Sequence, residues 1–206
     1  MIKEFYIFRH GETDWNKSKR IQGHTNTSLN SKGREQAKQL IEILKDKKLE
    51  IIYSSDLDRA FQTAKIINQN LNLPIIKTEK LREAHFGEAE GMLLDDIIEK
   101  WGIEFWEKFR TLGPKNQEIG FPGGETRGDS VKRMRSFIDS VIKETDHKKI
   151  GISTHGGVVR NLLHSFLDEG HTPLPIPNCV CYLLKYDPMD ETFSVEGPLN
   201  SGEDYF

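Results

Sequence analysis

Two histidines in this chain are each followed by glycine, and each closes an apolar run. The first lies in Tyr6-Ile7-Phe8-Arg9-His10-Gly11, the second in Ile150-Gly151-Ile152-Ser153-Thr154-His155-Gly156-Gly157. Arg9 directly precedes the first. Another arginine, Arg59, follows a third apolar run, in Ile51-Ile52-Tyr53-Ser54-Ser55-Asp56-Leu57-Asp58-Arg59. Arginine forks match phosphate oxygens bidentately and stay charged at any working pH. An unprotonated imidazole among them can attack phosphorus through one nitrogen while a carbonyl fixes the proton on the other. Glycine after the histidine permits a tight turn and close approach by a substrate. These residue types suit phosphoryl transfer. The leaving oxygen then needs an acid, and Leu81-Arg82-Glu83-Ala84-His85-Phe86-Gly87-Glu88-Ala89-Glu90-Gly91 offers three. Glu83 is the best placed, just after a third strand region; Glu88 and Glu90 read as exposed loop charges.

For these groups to meet, the runs that carry them must be strands of one sheet. Phe5 to Phe8, Ile51 to Ser54, a short run starting at Pro74 and Lys149 to Thr154 have strand composition. Helical periodicity separates them: from about Ser31 to Lys47, with Asn30 or Ser31 as cap; after Asp56, read as a cap; and from about Val158 to Leu167. Further helical patterns run from about Leu93 to Phe109 and from Ser130 to Glu144. Val180 to Leu184 and Thr192 to Val195 read as two closing strands. Such alternation implies an α/β layered fold around a mostly parallel sheet, in which ligands bind at the carboxyl ends of strands, beside helix N-termini that favour anions.

The bulk properties leave the positive groups to act locally. The chain has 206 residues, enough for one domain with a substantial core. Its 29 Lys and Arg are set against 32 Asp and Glu, a net charge of −3, and no basic block points to nucleic acid or an anionic membrane. No apolar stretch approaches the ~20 residues of a membrane span. Cys179 and Cys181, two apart in an apolar run that reads as a strand, are expected not to pair with each other and to remain reduced. With a strand starting almost at Met1, a cytoplasmic protein is expected. His24, His85, His147, His164 and His171 show no compact metal-ligand spacing.

The ordered segments "FRHGETDWN", "QGHTNTSLNSKGREQA", "SSDLDRAFQTA", "LREAHFGEAEG", "FPGGET" and "STHGGVVR" resemble, over nearly the whole chain, the histidine phosphatase superfamily, also called the phosphoglycerate mutase-like family. The resemblance implies a three-layer α/β/α sandwich forming a single domain over residues 1–206. It makes His10 the nucleophile that becomes phosphorylated and Glu83 the proton donor, later the base that activates water. Arg9, Asn16, Arg59 and His155 would hold the phosphoryl oxygens, with Gln22, Gly23 and Gly156 lining the substrate site. It implies no metal and no organic cofactor; the expected partner is a small phosphate ester, and a homodimer is allowed. Residues about 93–121 would form a helical cap over the site.

Two departures bear on the substrate entrance. The family pattern G-x-x-D-x-P-L has Asp and Pro where this chain has Asn26 and Ser28, and Ala89 replaces a common aromatic residue. The same phosphoenzyme serves hydrolysis or transfer back to a phosphoglycerate. Mutases of the family carry a longer insertion with an Arg-Arg pair, absent here, and Glu-Arg-His-Tyr-Gly where this chain has Glu83-Ala84-His85-Phe86-Gly87. Hydrolysis is therefore expected, with a 2,3-bisphosphoglycerate-dependent mutase as the alternative. A non-catalytic phosphate-binding protein is the alternative of another class, disfavoured because His10 and Glu83 are both present. Trp101, Phe105, Trp106 and Phe109 recur at helical spacing and read as packing, and Lys108, Arg110 and Lys115 as solvated charge.

Overall fold

A computed structural model describes residues 1–168 and 170–200. Six strands, β1 (Lys3–Arg9), β2 (Ile51–Ser55), β3 (Ile75–Thr78), β4 (Lys149–Thr154), β5 (Cys181–Asp187) and β6 (Thr192–Glu196), form one sheet in the order β3-β2-β4-β1-β5-β6. The pairs β2–β3, β2–β4 and β1–β4 are parallel; β5 and β6 add an antiparallel edge. Seven α-helices occur among the described residues: α1 (Asp14–Lys17), α2 (Ser31–Leu44), α3 (Asp58–Leu71), α4 (Leu94–Trp101), α5 (Ile103–Arg110), α6 (Arg127–Glu144) and α7 (Gly156–His164).

Strand alternation sets the layers. Phe5 and Ile7 of β1 pack with Phe137 of α6 and Leu162 of α7, whereas Tyr6 and Phe8 pack with Leu40 of α2 and Ile67 of α3. The sheet is thus covered on both faces, as the sequence led us to expect. Phe5, Ile7 and Phe8 are fully buried, and each stabilises the strand by about 1.5–3 kcal/mol. That anchorage matters because β1 ends at the functional residues.

Four local expectations are corrected. The helix expected from Leu93 to Phe109 is two helices, because Gly102 takes a positive φ of 84° between α4 and α5; the apolar periodicity runs on through the break and hides it. Asp56 does not cap α3. Its carboxylate is held by Arg82 (Nε to Oδ1, 2.8 Å), and Asn26 Oδ1 instead accepts from Asp58 N at 2.8 Å. Asn26 thereby supplies the acceptor that an Asp would offer. Cys179 lies before β5 with a positive φ of 57°, outside the strand expected to carry both cysteines; both are free and buried in one apolar cluster. Finally, α6 begins at Arg127, capped by Thr126, whose side chain accepts from Asp129 N.

The segment carrying α4 and α5 has its own small core. Ala89, Ile97 and Phe121 are buried there, with Trp101, Phe105, Trp106 and Phe109 packed against them; the Phe109 and Phe121 rings are 4.6 Å apart. The aromatic spacing is packing, as expected, and Ala89 is buried in the same cluster. Arg127 ties the segment to α6 by donating to the carbonyls of Phe109 and Thr111 at the end of α5.

Candidate active site

Parallel pairing aligns the ends of β1 and β4, with Arg9 opposite Thr154. His10 N donates to Thr154 O at 2.9 Å, and the rings of His10 and His155 lie edge to face with centroids 5.2 Å apart. The end of β2 adds Ser55, and the first turn of α3 adds Arg59.

His10 is held from several sides. Its Nδ1 lies 2.7 Å from Gly11 O, so the proton sits on Nδ1 and the Nε2 lone pair is free. Its own carbonyl accepts from Asn178 Nδ2 at 3.0 Å, and Gly11 N donates to Thr63 Oγ1 at 3.1 Å. Burial, reinforced by the charges of Arg59 and Arg9, holds the imidazole pKa well below its usual 6.5. The ring is therefore neutral at neutral pH.

Arg59 is fully buried, yet every one of its nitrogens has a partner: Nε donates to His155 Nδ1 (3.1 Å), one terminal nitrogen to Thr25 O (2.9 Å) and the other to Gly23 O (2.7 Å). Because His155 Nδ1 accepts, the ring proton is on Nε2, which donates to Ser55 Oγ at 2.8 Å. Both ring nitrogens of His155 are thus engaged, and its first effect is to fix the Arg59 fork. The two terminal nitrogens of Arg59 each retain one further N–H. Arg9 donates to Ile176 O at 2.7 Å, while its buried Nε has no partner among the described residues. Burial lowers the pKa of both arginines to about 10, with Glu83 opposing the shift; both remain cations at neutral pH.

The Glu83 carboxylate lies on the N-terminus of α7, accepting from Gly157 N (2.9 Å), Val158 N (3.0 Å) and Ala84 N (3.0 Å). The α7 donors expected for a substrate anion are thus spent largely on Glu83. This explains the Gly156-Gly157 pair. A Cβ at Gly157 would stand 2.7 Å from Glu83 Oε1, and one at Gly156 would stand 3.0 Å from Arg9 Nε. Behind Glu83, its carbonyl accepts from His24 Nε2 (2.8 Å) and from Arg133 (3.3 Å), and Arg133 is paired with Glu125.

The remaining expected residues are near but differently employed. Gly23 contributes its carbonyl to Arg59, and Gln22 Oε1 accepts from Thr27 Oγ1 at 2.6 Å. Asn16 closes the capping box of α1 with Thr13, and its Oδ1 also lies 3.4 Å from Asn178 Nδ2. Glu90 is no exposed loop charge: its carboxylate accepts from His24 N, Thr25 N and Phe86 N, fixing the loop that holds Arg59. Glu88 is exposed and pairs with Lys100. Asn178, Thr63 and Ser55 were not foreseen. Ser55 and Thr63 lie within "SSDLDRAFQTA", but nothing in the sequence places Asn178 beside His10.

Of the expected site residues, Arg9 borders a cavity of about 1050 Å³, whose lining also includes residues of the 93–121 segment such as Arg110 and Thr111. No group of three or more His, Cys, Asp and Glu is placed to hold a metal ion among the described residues. No helix among the described residues is long and apolar enough to cross a membrane.

Known proteins share sequence and fold with this chain. Residues 5–196 match the family model "Histidine phosphatase superfamily (branch 1)". The "Uncharacterized phosphatase PhoE" of Bacillus subtilis is 35% identical over 157 residues, covering 76% of this chain and 74% of that one. "Phosphoglycerate mutase-like protein 4" of Arabidopsis thaliana is 34% identical over 165 residues, covering 77% and 69%. Among solved structures, a mycobacterial glucosyl-3-phosphoglycerate phosphatase complexed with VO3 superposes with a TM-score of 0.80 at 25% identity, covering 94% of this chain and 96% of that one.

Proposed function

This chain belongs to the histidine phosphatase superfamily, and from that premise we propose that it is a phosphomonoester hydrolase working through a phosphohistidine. The observation that carries the reading is His10: neutral, its Nδ1–H donated to the Gly11 carbonyl, its Nε2 free and the ring under the charges of Arg59 and Arg9. In the first step Nε2 attacks phosphorus in line, the P–N bond forms and the ester P–O bond breaks. The free N–H groups of Arg9 and Arg59 take the charge of the equatorial oxygens, already in place before the reaction. Glu83 serves as the acid that delivers a proton to the leaving oxygen. In the second step Glu83 accepts a proton from water as its oxygen attacks phosphorus; the P–N bond breaks and His10 is regenerated. The two arginines bring the positive charge that a metal would otherwise supply, so turnover needs none. Asn16, Gln22, Gly23 and Gly156 shape the walls, His155 orients Arg59, and residues 93–121 cap the site.

Hydrolysis is preferred to mutase transfer because the chain lacks the Arg-Arg pair, and cytoplasmic residence remains the expected setting. The test is p-nitrophenyl phosphate turnover by wild type and His10→Ala. We expect the variant to lose about 1000-fold or more of kcat. Equal activity in the two proteins would overturn the histidine nucleophile. Isomerisation of 3-phosphoglycerate that requires 2,3-bisphosphoglycerate would overturn the preference for hydrolysis.

A further inference from the structure

Glu83 stands on backbone that no strand or helix holds. One turn of 3-10 helix ends at Leu81, and residues 82–86 lie outside helix and strand. Their peptide groups still need partners. The carbonyls of Lys80, Arg82 and Glu83 all find one in the same guanidinium, that of Arg133, about two turns into α6. Nη1 donates to Lys80 O at 2.8 Å and to Arg82 O at 2.9 Å, and Nη2 donates to Glu83 O at 3.3 Å. Glu83 O takes a second hydrogen bond, from His24 Nε2 at 2.8 Å.

The other N–H groups of Arg133 go to Glu125: Nε to Oε1 at 2.8 Å and Nη2 to Oε2 at 2.7 Å. All five guanidinium donors are thereby used. Glu125 is tied to the same segment, its Oε2 accepting from His85 N at 3.1 Å and its own N donating to His85 O at 2.7 Å. Burial opposes ionisation of Glu125, but Arg133 outweighs it and holds the carboxyl below its usual range. The pair is therefore charged on both sides at neutral pH. This gives a use to the segment "FPGGET", which the phosphate chemistry leaves idle. Its Gly124 allows the close approach, since a Cβ there would stand 2.5 Å from His85 O, and its Thr126 caps the helix that carries Arg133.

We propose that Arg133, braced by Glu125, is a positioning residue for the acid step: it fixes the main chain of Glu83 so that the carboxyl faces the leaving oxygen. The proposal rests on the phosphatase reading, in which Glu83 protonates that oxygen. The N-terminus of α7 fixes the two carboxylate oxygens, but only while the Cα from which the side chain springs is itself held. The Arg133 clamp supplies that hold. Its donors all go to Glu125 and to the carbonyls of Lys80, Arg82 and Glu83, and none to Arg9, His10, Arg59 or His155, so it acts through Glu83 rather than on the phosphoryl group.

The test measures single-turnover rates on two esters: propyl phosphate, whose leaving oxygen needs a proton, and p-nitrophenyl phosphate, whose leaving group departs as the phenolate. Folded Arg133→Met should lose about 10- to 100-fold on propyl phosphate and less than about 3-fold on p-nitrophenyl phosphate. A general loosening of the site would fall on both esters alike. Equal losses, or an unimpaired rate on propyl phosphate, would therefore overturn the proposal. Should Arg133→Met fail to fold, Glu125→Gln keeps the shape but turns an amide N–H towards Arg133 or His85 N. It should lose about 3- to 10-fold on propyl phosphate alone, and equal losses or none would overturn the proposal equally. Failure of the parent reading looks different: wild type hydrolyses neither ester, hydrolysis ignores His10→Ala, or Glu83→Gln slows both esters by the same factor.

Discussion

The Nδ1 of His10 lies 2.7 Å from the carbonyl of its own neighbour, Gly11. This one contact sets the tautomer and leaves Nε2 as the nitrogen able to attack. Burial and the Arg59 and Arg9 charges keep the ring neutral. The acid limb of the kcat/KM profile that belongs to His10 should therefore lie below the usual 6.5. A pH–rate profile checks this. A limb at or above that value would mean that the arginines do not act on His10 as described.

Glu83→Gln should separate substrates by leaving group. An alkyl phosphate needs its leaving oxygen protonated and should lose about 100-fold or more, while p-nitrophenyl phosphate should lose far less in the first step. Single-turnover kinetics on both esters give the comparison, and equal losses would remove Glu83 from the acid role.

Gly157→Ala tests placement of the same carboxylate without changing it. The new methyl would stand 2.7 Å from Glu83 Oε1, so the carboxyl must move. Loss on alkyl phosphates should be about 10- to 100-fold, with p-nitrophenyl phosphate again the less affected. Steady-state kinetics on the two esters suffice.

The depressed pKa values of His10 and His155 also bear on stability. Both rings are neutral in the folded protein and titrate at the ordinary 6.5 when unfolded. Below that value the unfolded chain binds more protons, so the stabilisation present above it is lost as pH falls towards the folded-state values. The thermal midpoint should drop between about pH 7 and about pH 5, and drop less in His10→Gln, which removes one of the two groups.

How much of this the sequence disclosed follows from how local each determinant is. Arg9, His10 and Arg59 were legible because strand composition and the glycine turn sit within a few residues of them. The roles of Glu90 and Asn178 depend on partners far along the chain: Glu90 reaches back to His24 and Thr25, and Asn178 is 168 residues from His10. No local pattern encodes such meetings. The break at Gly102 was hidden for a different reason, since one glycine inside an unbroken apolar period reads as tolerated helix until its φ is known.

The central claim, that His10 Nε2 carries the phosphoryl group, is tested most directly by rapid quenching during turnover of a radiolabelled phosphate ester. The account predicts a labelled protein whose label survives alkali, is lost in acid, and maps to the peptide containing His10; His10→Ala should carry none. Label on another residue, or continued turnover by His10→Ala with no labelled protein, would contradict it.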